Sequence, residues 1–359
     1  MAEQPSAVHF GAGALGRGLV VPRLVAAGWS VALADADRAL VAALADGGRY
    51  PLLVTDGATE ERREVPVAGA FHPADAGADA RLACAALVTT AVRRENLGRV
   101  AAALVAAWSR HGMPETVTVV GCENVERVDD VLAGAFAAAG ITAEQRARLV
   151  LPRTVVDRIC AADWPAGLLV TTEPFAELAV GAPAAIEGVE TVADIDARFA
   201  RKRYLVNSFA DASALLGAAR GHGTLAAAVS DVAVAAEIAP LLAALRLHLT
   251  LAHGFAPAEL LAYLAQSRGR LANAAIPRRI ETVARDFARK LGPTERFAEP
   301  LIDLEARGCL DEDAVAVVAA LVRAAGPGEG LDRTLPDGTA GLPPAAARFY
   351  ARLAAAIGA

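Results

Sequence analysis

The chain has 359 residues, a 55% hydrophobic composition and a formal net charge of −6, with a pI near 5.6. That length suits two domains with sizeable cores, and the acidic balance gives no electrostatic basis for binding nucleic acid or an anionic membrane. The N-terminus lacks a basic stretch followed by an apolar one, so no signal peptide is read. No uncharged run reaches the roughly 20 residues of a membrane span, and a cytoplasmic protein is expected. Cys84, Cys122, Cys160 and Cys309 are widely spaced and form no CxxC, as expected of buried or incidental thiols in a reducing compartment.

Residues 7–10 read as a short buried strand. Gly11-Ala12-Gly13-Ala14-Leu15-Gly16-Arg17-Gly18 follows, then a helix to about Ala27. This is GxGxxG between a strand and a helix, the context that dinucleotide binding requires. Gly11 permits the turn, Gly13 lets backbone approach a pyrophosphate, and Gly16 lets the helix pack on the sheet. A second strand, Ser30–Ala34, ends in Asp35, which suits a ribose 2′-hydroxyl and repels a 2′-phosphate; Arg38 nearby works against that preference. NAD is therefore the expected cofactor.

A helix over 38–46 and a β-excursion over 50–70 come next. Ala85–Thr90 reads as a buried strand whose following loop, at Ala91-Val92, should pass the cofactor. A helix is expected over 95–110 and a strand over 116–120, ending in Gly121-Cys122-Glu123-Asn124. Asn124 is read either as a hydrogen-bond donor in the ligand crevice or as the cap of the next helix, 128–140. Residues 149–158 read as strand and loop, in which either Asp157 and Arg158 pair with each other or Asp157 faces substrate. Leu168–Phe175 reads as a late strand ended by Pro174. The stretch 181–190 is the linker candidate, giving expected domains of 1–190 and 191–359.

The second half reads as helical over 194–217, 224–245, 257–266, 277–290, 311–325 and 344–357. Its central feature is Arg201-Lys202-Arg203-Tyr204-Leu205-Val206-Asn207. Lys202 and Lys290 are the only lysines beside 33 arginines, since Lys and Arg total 35. Lysine, unlike arginine, can lose its proton when buried or set beside another cation. On a regular helix Lys202 and Asn207 stand roughly 140° apart with position 210 between them. His248 and His253 lack the i, i+4 spacing of a helical metal pair, and no metal site is expected. Arg278, Arg279, Arg285, Arg289 and Lys290 form a basic run that is either a solvated face or a phosphate grip.

Together, Val8–Gly13 with Gly16-Arg17-Gly18, Val88–Val92, Cys122-Glu123-Asn124, Val156–Ile159, Glu173-Pro174-Phe175, and Lys202 with Asn207 resemble the polyol-specific long-chain dehydrogenases. The mannitol-1-phosphate 5-dehydrogenase branch is nearest. The family signature KxxxxNxxH here reads Lys202, Asn207 and then Ala210 in place of His. The resemblance implies an α/β fold, with an N-terminal Rossmann-type doubly wound sheet and a mostly α-helical C-terminal domain. It implies metal-independent oxidation of a sugar alcohol phosphate of the mannitol-1-phosphate type, or reduction of its ketose, of the fructose-6-phosphate type, with NAD. Lys202 would be the general base, and Asn124 and Asn207 would hold the reacting oxygen. Gly11, Ala12, Gly13, Leu15, Gly16, Arg17, Asp35, Thr89, Thr90, Ala91 and Asn124 would line the cofactor, and Asp157, Arg158, Ala210, Arg285 and Lys290 the substrate. A monomer or weak homodimer is expected. The rival readings are an NAD(H)-binding protein without turnover and a relative with a changed, non-mannitol substrate such as a uronate. A short-chain dehydrogenase is excluded because no Tyr has Lys four positions later.

Overall fold

A computed structural model describes residues 5–326, 328–335 and 337–358. The chain divides into two compact units, Met1–Ile195 and Asp196–Ala359.

The strands of the first unit are β1 Ser6–Phe10, β2 Ser30–Ala34, β3 Arg49–Thr55, β4 Glu60–Pro66, β5 Gly69–Phe71, β6 Leu87–Thr90, β7 Val117–Gly121, β8 Leu149–Val150, β9 Thr154–Asp157, β10 Cys160–Ala162, β11 Val170–Thr172, β12 Glu177–Gly181 and β13 Glu190–Val192. Six of them form a parallel sheet in the order β5-β2-β1-β6-β7-β8. Alternation along β1 sends Val8 and Phe10 to one apolar layer and Ala7 to the other. Both faces are covered, which is why these strands read as nearly continuous apolar runs. In one layer Trp108 and Phe136, from the helices Leu97–His111 and Val128–Ala138, stack with centroids 5.7 Å apart. The chain winds outward from β1 through β2 to β5, then back through β6 to β8. The carboxyl ends of β1 and β6 therefore flank the switch point where α/β sheets bind ligands.

The expected excursion is the β3–β4 hairpin, Tyr50 opposite Val65, and it belongs to a second sheet ordered β10-β11-β3-β4. The strand expected over 168–175 is shorter, β11 at Val170–Thr172, and it joins this second sheet beside β3. A third sheet is ordered β13-β12-β9. The stretch 181–190, expected as a linker, holds the end of β12 and the start of β13.

In the second unit several helices are divided where one was expected. The helix over 224–245 is two, Leu225–Ser230 and Val232–His253, because Asp231 is extended and caps the second by accepting from Ala233 N and Val234 N. The helix over 277–290 is also two, Ile280–Ala284 and Phe287–Lys290, broken at Arg285 and at Asp286, whose φ is 56°. The helix expected over 257–266 continues to Leu271, and Ala298–Ala306 is a further helix. Val232–His253 is long and apolar enough to cross a membrane by length and composition. It carries Glu237 and Arg246 and packs against Phe209–Ala219, Ala298–Ala306 and Glu312–Ala325 within its own unit, as a core helix does.

Candidate functional site

The glycine loop sits on the carboxyl end of β1. Gly11, at φ 99°, could carry no side chain, because a Cβ would stand 2.4 Å from Ala91 O. A Cβ on Gly16 would stand 2.2 Å from His9 Nε2. Around Gly13 a Cβ would meet nothing within 4 Å, and Gly13 is exposed. The first and third glycines are thus fixed by packing, and the second leaves an open cradle of backbone.

His9 supports this loop from inside the sheet. It is fully buried, Nδ1 lies 2.7 Å from Thr89 Oγ1 and Nε2 lies 3.1 Å from Gly11 O. Nε2 carries a proton, since Gly11 O can only accept; burial favours the neutral ring, in which Nδ1 accepts from the Thr89 hydroxyl. Burial lowers the His9 pKa to about 4, against the opposing pull of Gly11 O.

The helix after the loop contains a π-turn over Gly16–Val20, in which Val21 N–H donates to Gly16 O. Two of its carbonyls are taken by side chains: Tyr50 Oη donates to Arg17 O at 2.7 Å and Arg158 NH1 to Gly18 O at 2.7 Å. Arg17 is itself fully buried, donating to Ala12 O at 2.6 Å and Leu168 O at 2.5 Å. Its guanidinium hydrogen-bonds to carbonyls beneath the loop, and burial lowers its pKa while the charges of Asp35 and Asp163 oppose that. Arg158 also donates to Glu173 O at 2.9 Å. Sequence reasoning offered Arg158 to substrate and Arg17 to cofactor; both guanidinium groups are engaged with backbone.

Asp35 ends β2. It accepts from Ala12 N at 2.6 Å and Asp37 N at 2.8 Å, one bond per oxygen, which leaves each oxygen a further lone pair. Arg38 is held by Asp75 at 2.8 Å. The adenosine-side charge is therefore acidic, which fits a ribose diol. The open Gly13 cradle and this free acceptor capacity fit a dinucleotide.

Glu123 was quoted in the sequence without a role. Its buried carboxylate accepts from Val92 N at 2.7 Å, Arg93 N at 2.9 Å and Thr90 Oγ1 at 3.2 Å, clasping the loop after β6. Burial pushes its pKa up, and those three donors oppose the push. Thr89, Thr90 and Ala91 are thereby fixed beside the glycine loop, since Ala91 N donates to Phe10 O at 2.7 Å. Asn124 follows, exposed. It is not the cap of the next helix, because Arg127, at φ 50°, takes that position before Val128. Asp157, at the end of β9, is buried opposite Glu177 of β12.

In the second unit the helix Ile195–Lys202 passes into a π-turn, Arg203–Ser208, and continues as Phe209–Ala219. A π-turn holds more residues than an α-turn, so each residue advances by less than about 100°. Lys202 and Asn207 therefore come closer to one face than the 140° of a regular helix allows. Lys202 is 6% exposed, Asn207 half-buried and Ala210 buried. Ser208 Oγ lies 3.2 Å from Arg203 O, five residues back, and 3.2 Å from Arg296 O. Arg203 ties the turn to its surroundings through Glu299 at 3.0 Å and Thr294 O at 2.6 Å.

Lys290 is buried, and its Nζ donates to Asp211 Oδ1 at 3.0 Å and Val283 O at 2.8 Å. Desolvation lowers its pKa, and Asp211 acts in the opposite sense. Arg285 is exposed at the helix break. Asp211 and Arg296, which pair at 3.0 Å, were not singled out from sequence. The available signal was one acid in an otherwise apolar helical segment.

A family model described as the mannitol dehydrogenase Rossmann domain matches residues 5–190. A mannitol-1-phosphate 5-dehydrogenase of Exiguobacterium sibiricum is 32% identical over 311 residues, 84% of this chain and 81% of its own. One from an Arthrobacter species is 33% identical over 332 residues, covering 88% and 85%. Among solved structures, Pseudomonas fluorescens mannitol 2-dehydrogenase, in complex with NAD and D-mannitol, superposes with a TM-score of 0.75 at 18% identity, covering 99% of this chain and 92% of that one. A D-sorbitol dehydrogenase gives 0.71 at 17% identity, covering 89% and 80%. The fold, the glycine loop and these likenesses together establish that the chain belongs to the mannitol dehydrogenase family.

Proposed function

We propose that this protein interconverts a polyol and its ketose with NAD, using Lys202 as the general base. It is an NAD-dependent polyol dehydrogenase by family. The observation that carries the assignment to Lys202 is its placement: it is buried at the start of a π-turn that draws Asn207 toward its side.

The Gly11–Gly16 loop, Asp35 and the Glu123-clasped loop would hold the dinucleotide. When bound, NAD supplies the two-electron acceptor for the hydrogen on the carbinol carbon. Lys202 Nζ, unprotonated, takes the hydroxyl proton as the carbon–oxygen double bond forms, and returns it in the reductive direction. Asn124 and Asn207 are the amide donors for that oxygen as it gains charge. No metal is required by this scheme. Ala210 brings no imidazole to assist, a feature that alone favours binding without turnover.

The test is NADH oxidation, followed by absorbance, with a panel of ketoses and ketose phosphates. Turnover of at least one member is expected. If NADH binds and no member is reduced, the binding-only reading replaces this one.

A further inference from the structure

We infer that Asp211 is a specificity-determining residue that selects an uncharged polyol or ketose over an anionic one. This rests on the reading above. Asp211 lies four residues beyond Asn207, about one turn along the helix, where side chains are neighbours. It is buried, and each of its carboxylate oxygens is taken by a different cation. Lys290 Nζ is 3.0 Å from Oδ1 and Arg296 NH1 is 3.0 Å from Oδ2. Lys290 is buried and Arg296 partly so, and both come from a later segment of the chain, 79 and 85 residues beyond Asp211. Their fixed placement is what a sugar phosphate or carboxylate would require. Here the protein's own carboxylate occupies both. Neighbouring cations are answered too: Arg203 by Glu299 at 3.0 Å and Glu295 at 3.3 Å, and Arg289 by Glu295 at 2.9 Å.

An anionic substrate would have to displace Asp211 from both cations or sit against its charge. A neutral substrate meets neither obstacle. Sequence reasoning placed Lys290 near substrate, and Asp211 changes what that lysine can offer.

The experiment compares kcat/KM of the wild-type enzyme with NADH for a ketohexose, its 6-phosphate and the corresponding keto-acid sugar. The ketohexose should be favoured by at least about tenfold. Asp211→Asn keeps the shape, removes the charge and should shift the ratio toward the phosphate by about tenfold or more. Because a freed Lys290 can unfold the variant, the wild type is also tested with inorganic phosphate and the sugar phosphate as inhibitors of ketohexose reduction. Inhibition weaker than tens of millimolar is expected. A wild type that prefers the phosphate or the acid, or is inhibited at micromolar concentration, overturns the inference while leaving the dehydrogenase assignment intact. An Asp211→Asn enzyme that folds and keeps the wild-type ratio also overturns it. Absence of turnover on every substrate instead removes the assignment on which the inference stands.

Discussion

His9 shows how one side chain ties loop geometry to solution pH. Its ring is fully buried and neutral, with its pKa held near 4 against 6.5 in the unfolded chain. A depressed histidine contributes its stability above pH 6.5 and loses it as pH falls toward 4, because only the unfolded chain takes up the proton in that window. The loss between pH 7 and 5 is about 2 kcal/mol from this residue. Urea titrations of the wild type and His9→Gln at both pH values should show a smaller acid loss in the variant by about that amount. Equal losses would show that the ring is not buried neutral. Glu123 acts on the neighbouring loop. Glu123→Ala removes the acceptor for Val92 N, Arg93 N and the Thr90 hydroxyl, and about tenfold weaker NADH binding is expected by fluorescence titration. An unchanged dissociation constant would detach the clasp from cofactor binding.

At the level of elements, the two π-turns separate what the sequence makes legible from what it hides. The strand–loop–helix order around Gly11–Gly16 was readable because each glycine answers a local steric demand. The extra residue in each helix was not, because Gly16 and Gly18 in the first turn already answer the close packing of the loop, and Arg203–Ser208 carries no Gly or Pro to mark a departure from the α-helix. The turns are stabilised by distant groups instead. Tyr50 and Arg158 serve the first, and Thr294 O, Glu299 and Arg296 O serve the second. A periodicity of 3.6 residues therefore set Lys202 and Asn207 too far apart in angle. The first turn gives a direct test. Tyr50→Phe leaves Arg17 O, in a fully buried setting, without its donor and should cost about 1–3 kcal/mol in chemical denaturation. A change below a few tenths would mean the turn holds without that bond.

Across the whole molecule, the doubly wound sheet and the helical second unit follow from the apolar pattern, whose period passes from strand to helix near residue 190. The interior of that pattern was harder to read. Splits such as Asp231 and Asp286 depend on single residues whose backbone leaves the helix while apolar periodicity carries on around them. Ion pairs such as Lys290 with Asp211 join positions 79 apart, beyond any local window, and they changed the meaning of a lysine that sequence reasoning had offered to substrate. Lys202 is the position on which the functional account turns. The most direct measurement is ketose-dependent NADH oxidation by Lys202→Ala alongside an NADH binding titration. The account predicts a fall in kcat of at least about 10²-fold, with NADH affinity within about twofold of wild type. A variant that retains most of the wild-type rate on the same ketose would contradict it.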